Sequence, residues 1–183
     1  MTSLDSFREQ QNVSPGKGFE AFRMDNTKKA DVIPDMRTYV GLGSCNCCDY
    51  FLIHENKVVL VEETQLADTI KTIEKKYSYL AERHRQDFTV DCVRQENYLK
   101  VFGALLVLWR LAAKCREASS LMQDKKHDFY LVITGMETEE ARRMFDNLKD
   151  NLQKQLQSVL TPEVMDNVEV IPSREILADK LSH

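Results

Sequence analysis

Two short apolar runs, Tyr50 to Ile53 and Val58 to Val61, flank a polar turn, and their β-branched and aromatic content predicts a pair of buried antiparallel strands. The period then becomes helical. Leu66, Ile70, Ile73, Tyr77 and Leu80 recur at three- and four-residue steps, which predicts a helix from Leu66 to Arg85. A second helical stretch, Asp91 to Met122, is apolar nearly all round in its middle, so Phe102, Leu105, Leu106, Leu108 and Trp109 are expected to be mostly inaccessible. Broad exposure of that segment would point instead to a partner interface. Phe129 to Ile133 reads as a strand closed by Thr134-Gly135. Thr138 caps an amphipathic helix whose Met144, Leu148, Leu152, Leu156 and Leu160 repeat every four residues. Val168 to Ile171 is a last short strand, and Ser173 caps a terminal helix through Leu181.

The pattern is weaker before the hairpin. Met1 to Val13 reads as flexible or weakly helical, residues 1–17 as a flexible segment, and Ser14-Pro15-Gly16-Lys17-Gly18 as a breaker cluster. Phe19 to Met24 fits a short helix carrying Glu20, and Val32 to Gly43 a short strand centred on Thr38-Tyr39-Val40. A hairpin followed by strands separated by long helices predicts an α/β fold, a mixed β-sheet with a central hairpin flanked by long helices, in one domain over residues 1–183.

Composition narrows the function classes. With 43% apolar and 30% charged residues, 6 Gly and 4 Pro, the chain is of ordinary globular type. A net charge of -4 and a pI of about 5.6 argue against a protein that coats nucleic acid by charge alone. Met1 to Asn12 has no apolar core of a signal peptide, and the run Val101 to Trp109 is far shorter than the roughly 20 residues of a membrane span. A cytoplasmic location with no membrane partner is expected. Five cysteines suggest reduced thiols. Cys45, Cys47 and Cys48 lack the second pair of a zinc site and read as buried space-filling thiols, with metal or redox sensing as the other reading. Basic residues cluster at Lys75 and Lys76, at Arg83 to Arg85, at Lys125 to His127, and at Arg142 and Arg143. Solvated helix faces explain each cluster separately.

Candidate chemistry lies at the open end of the hairpin. A three-residue turn centred on Asn56 would set Asp49 opposite Glu63, with Cβ atoms roughly 4.5–5.5 Å apart. A two-residue turn would instead move the partner of Asp49 to Glu62 or Thr64 and send Glu63 to the other face. Opposed carboxylates repel unless a cation or proton lies between them, and a hard divalent cation such as Mg²⁺ or Mn²⁺ suits oxygen ligands. Gln65 falls on the face of Glu63 if the strand continues. The plainer reading is that these acids are solvated residues where strands emerge into loops.

An acidic residue on a first helix, a hairpin with Asp at the start of one strand and an acid two residues before a third motif position at the end of the next, then a helix and a further strand: this ordering resembles the PD-(D/E)XK nuclease superfamily, over roughly Phe19 to Gly135. The resemblance implies a restriction-endonuclease-like fold and metal-dependent hydrolysis of DNA or RNA phosphodiesters in restriction, repair or phage defence. Asp49 and Glu63 match the metal-binding acids, Gln65 the motif lysine, and Glu20 the acid that some members supply from the first helix. Asp49 and Glu63 would hold the metal, Gln65 would orient the attacking water because an amide is no general base, and the Val61 and Thr64 carbonyls could add oxygen ligands. One of Lys71, Lys75 and Arg85 would contact phosphate. The chain departs from the pattern at Gln65 and at Cys48, where proline usually precedes the Asp; Pro34-Asp35 with Glu63 is the fallback assignment. Cutting both strands of a duplex would favour a homodimer. The rival reading is a nuclease-like binding or assembly subunit that does not cut, with a protein partner along the Glu137 to Leu160 helix.

Overall fold

A computed structural model describes residues 3–25, 35–123 and 125–182. The chain opens with a single 3-10 turn, Leu4–Phe7, capped by Ser3, and continues into strands β1 (Arg8–Ser14) and β2 (Lys17–Arg23), which form an antiparallel hairpin. Over the described residues 3–17 a turn and strands stand where a flexible segment is expected, and β2 replaces the helix expected over Phe19–Met24. β1 is polar at almost every position, so no alternating stripe announces it; it is an edge strand carried by its ladder to β2. Gly16, at φ +79°, makes the turn that the breaker cluster signals.

The strand expected around Thr38-Tyr39-Val40 is a short helix, α1 (Met36–Tyr39). Asp35 caps it, its Oδ1 accepting the Thr38 N–H at 2.6 Å, and a side chain used this way favours a helix start over a strand. The other half of that expectation, Val32 to Pro34, lies outside the described residues.

β3 (Tyr50–His54) and β4 (Lys57–Thr64) are adjacent and antiparallel, as their symmetry predicts. The turn holds two residues, Glu55 at φ +52° and Asn56, rather than three. Tyr50 therefore faces Val61 and Phe51 faces Leu60, which sets Asp49 level with Glu62 and not Glu63. Alternation places Val58, Leu60 and Glu62 on one face of the sheet and Val59, Val61 and Glu63 on the other.

The helix expected from Leu66 to Arg85 is divided into α2 (Leu66–Lys76) and the start of α3 (Glu82–Ala112), and the Asp91–Met122 stretch into the rest of α3 and α4 (Arg116–Gln123). Two local contacts stabilise the first break. The Arg85 guanidinium donates to the Leu80 carbonyl at 2.5 Å, and the Tyr77 ring packs on Phe88 with centroids 4.5 Å apart. β5 (Lys126–Ile133), α5 (Glu139–Leu160), β6 (Asn167–Ile171) and α6 (Arg174–Leu181) occur where the apolar pattern places them, with Thr138 and Ser173 as caps.

The six strands lie in chain order, antiparallel from β1 to β4 and parallel from β4 to β6, so the fold is α/β with a mixed sheet. Helices α2 to α5 cover one face over the larger core, and α6 covers part of the other. α3 buries Val101, Ala104, Val107, Leu108 and Leu111, while Phe102, Leu106 and Trp109 are 41%, 42% and 62% exposed and Leu105 is half-buried. The expectation of general burial is corrected: with one face of α3 on the core, nothing among the described residues covers the other. No described helix is long and apolar enough to cross a membrane.

Candidate functional site

Asp49 sits just before β3, where three strands meet. Its backbone carbonyl accepts the N–H groups of Met24 and Asp25 at 3.0 and 3.2 Å, and its Oδ2 accepts the Glu63 N–H at 2.8 Å. The aspartate is thereby fixed between the end of β2 and the end of β4. Burial raises its carboxyl pKa, partly opposed by the bond from Glu63.

Glu62, on the α3 side, is 2% exposed. The Lys100 ammonium reaches it from α3, with Nζ 2.5 Å from Oε1, and also contacts Glu96 at 2.9 Å. The other Glu62 oxygen, Oε2, is buried with no hydrogen-bond partner. Burial, with Asp49 adding to it, pushes the Glu62 carboxyl up to about 8 against the pull of Lys100. Burial also works against the Lys100 charge, but Glu62 outweighs it and the ammonium pKa is raised.

Glu63, on the α6 side, is fully engaged. Arg174 Nε donates to its Oε1 at 2.7 Å, Arg174 Nη2 contacts its Oε2, and the Tyr50 hydroxyl donates to Oε1 at 2.8 Å. Burial and Glu63 raise the Tyr50 pKa far above that of an ordinary phenol, keeping it a proton donor. Of the residues expected at the site, the structure brings Asp49, Glu63 and Gln65 to one cleft but gives the Glu63 carboxylate to Arg174. Gln65 is exposed at the cap position of α2, its side chain beside Gly135. Glu20 does not join them. It lies on β2, not on a helix, and its carboxylate pairs with Arg8 at 2.8 Å. The Thr64 carbonyl accepts the Thr134 N–H at 2.9 Å and so belongs to the sheet. Asp35 of the fallback assignment caps α1.

The cleft, about 1810 Å³, opens at the carboxyl ends of β4, β5 and β6, where α/β sheets bind ligands. Thr138 and Ser173 cap the N-termini of α5 and α6 at its rim, and Arg142 and Arg174 line it. Eight acidic side chains against five basic ones line it among the described residues, so it does not attract phosphate by charge alone. The basic clusters do not converge: Arg142 and Lys71 line the cleft, whereas Lys75, Arg83 to Arg85 and Lys125 to His127 do not. The five cysteines are free, and burial pushes the Cys47 thiol up to about 12 and holds the Cys48 thiol well above its ordinary value, which suits packing better than metal or redox chemistry.

Lys100 and Arg174 carry no local signal in the sequence, because they reach their partners across 38 and 111 residues. Lys100 does stand out as one charge between Leu99 and Val101. Among the described residues no group of three or more His, Cys, Asp or Glu is arranged to hold a metal ion. Set against known proteins, the chain matches no family model, no curated protein and no solved structure.

Proposed function

We propose that the chain is a divalent-metal-dependent nuclease of restriction-endonuclease-like fold, hydrolysing phosphodiesters of DNA or RNA, with Asp49 and Glu62 as its acid pair. The observation that carries this reading is the opposition of Asp49 and Glu62 at the open end of the β3–β4 hairpin, with Lys100 on one Glu62 oxygen and the other unpartnered. The order hairpin, helices, then a strand parallel to β4 supports the likeness in fold.

The donors are hard oxygen ligands; Asp49 lines the cleft, and Glu62, 2% exposed, lies behind it on the α3 side. Mg²⁺ takes one or two carboxylates and completes its shell with water and substrate oxygens, so two acids suffice. Asp49 and Glu62 would hold Mg²⁺ or Mn²⁺, which when bound supplies a water of lowered pKa and stabilises charge on the phosphate. Glu63 fits poorly, since a guanidinium already occupies both of its oxygens.

The chain's own residues do the rest. Lys100 places an ammonium beside the acid pair, the kind of group that Gln65 lacks. Arg174 and Arg142, with the N-termini of α5 and α6, offer donors that orient a phosphate in the cleft. Gln65, exposed at the cleft, orients water or substrate by hydrogen bonding.

The test is cleavage of labelled single- and double-stranded DNA and RNA with Mg²⁺ or Mn²⁺. Cleavage that stops with chelator and falls at least 100-fold in Asp49→Asn is expected. No cleavage of any substrate, and no effect of Asp49→Asn in cells, would favour the second reading, a binding or assembly subunit that does not cut. The Arg174 and Tyr50 clamp on Glu63 is the observation favouring that alternative.

A further inference from the structure

The solvent face of α3 carries a continuous apolar stripe. Tyr98, Phe102, Leu106 and Trp109 recur at four- and three-residue steps, with Leu99 beside them, 38–62% exposed. The Tyr98 and Phe102 rings pack together, centroids 4.7 Å apart, so this part of the stripe is already ordered. The five side chains extend along about 17 Å of helix and leave on the order of 500 Å² bare, the size of the largest apolar patch on a typical monomer, and such patches are often functional.

We propose that this stripe pairs with the same stripe on a second copy of the chain, antiparallel, about a two-fold axis level with Gly103. Two features of the face select this occupant. The first is area: an isologous contact counts the patch twice, about 1,000 Å², which reaches the lower bound for a specific interface before the rim is added. Its centre is aromatic, the composition of interface hot spots.

The second is charge. On the flank that carries Leu99, Glu96 lies seven residues before Gly103 and Arg110 seven residues after it. A two-fold axis there keeps the flank and exchanges the ends, so Glu96 of each copy meets Arg110 of the other, and Tyr98 meets Trp109. The Glu96 side chain is 54% exposed and lies 2.9 Å from Lys100, which it shares with Glu62, and Arg110 is exposed and has no ion pair among the described residues. A parallel pairing keeps the ends together and exchanges the flanks, so it brings no Glu96 to Arg110. On the opposite flank, Arg94 is already paired with Asp91 at 2.7 Å.

Sedimentation of the full chain from about 1 to 100 μM tests the pairing. We expect a concentration-dependent species of twice the 21.2 kDa chain mass. Trp109→Glu and Leu106→Glu should each weaken it at least tenfold while leaving circular dichroism unchanged, because both side chains are exposed. Arg110→Glu and Glu96→Arg should each associate weakly alone, and mixing the two variants should restore association, since every facing pair is then of opposite sign. A chain that stays monomeric at 100 μM overturns the proposal, whether or not the stripe takes another protein or a nucleic acid. So does a dimer indifferent to Trp109→Glu, and mixing without rescue overturns the antiparallel arrangement.

Discussion

Glu62 and Glu63 are neighbours in the chain and opposites in environment. Glu62 lies beneath α3, with an ammonium on one oxygen and nothing on the other. Glu63 lies beneath α6, with a guanidinium across both oxygens and a phenol on one. The same side chain, one residue apart, is in one place a fully satisfied structural group and in the other a buried acid with one oxygen unpartnered. They part because the period of a strand is two, and the two-residue Glu55-Asn56 turn decides that Glu62 is the one opposite Asp49.

The largest effect should come from breaking the packing that sets Asp49 in place. A Cβ on Gly103 would lie 1.7 Å from the Asn46 carbonyl oxygen in the segment leading to Asp49. Gly103→Ala must therefore separate α3 from that segment, and a loss of more than about 3 kcal/mol in denaturant unfolding is expected, with loss of any activity.

Next comes the contrast between the two ion pairs. Above about pH 8, where Glu62 is charged, Lys100→Met strands a buried carboxylate and should cost about 3 kcal/mol, whereas Glu62→Leu with Lys100→Met should recover most of that loss or exceed the parent, because an apolar pair avoids desolvating two charges. Arg174→Met should cost only about 1 kcal/mol, since Arg174 is 42% exposed and its pair is screened. Equal costs on the two faces in a double-mutant cycle would remove the asymmetry.

A smaller effect concerns pH. The Glu62 carboxyl sits at about 8 in the folded chain against an ordinary 4.5. The folded state then holds more protons than the unfolded one between those values, so stability should fall as pH rises from about 5 to 8, by at most about 1.4 kcal/mol per pH unit. Glu62→Gln should flatten that slope when melting is followed across the range, and Glu63→Gln should leave it in place.

Legibility in the sequence follows the same physics. The β3–β4 hairpin, β5, α5, β6 and α6 were readable because each has a continuous apolar period and a cap or turn residue at its end. β1 was not, since an edge strand made of Arg-Glu-Gln-Gln-Asn owes its structure to its neighbour, and the short Phe19-Glu20-Ala21-Phe22 run of β2 suits a helical turn as well as a strand. The break after Lys76 was hidden because Tyr77 keeps the helical spacing while packing back on Phe88. At the site, Asp49 and the hairpin were visible. The turn length was not, as Glu55 is a poor advertisement for positive φ. Lys100 and Arg174 were invisible because long-range partners leave no local spacing.

The most direct test is Mn²⁺ binding, read as the rise in melting temperature with metal concentration, in the parent chain and in Asp49→Asn, Glu62→Gln and Glu63→Gln. We expect a rise in the parent and in Glu63→Gln, and none in Asp49→Asn or Glu62→Gln. A rise kept by Glu62→Gln and lost by Glu63→Gln would contradict the assignment and return the metal to Asp49 and Glu63.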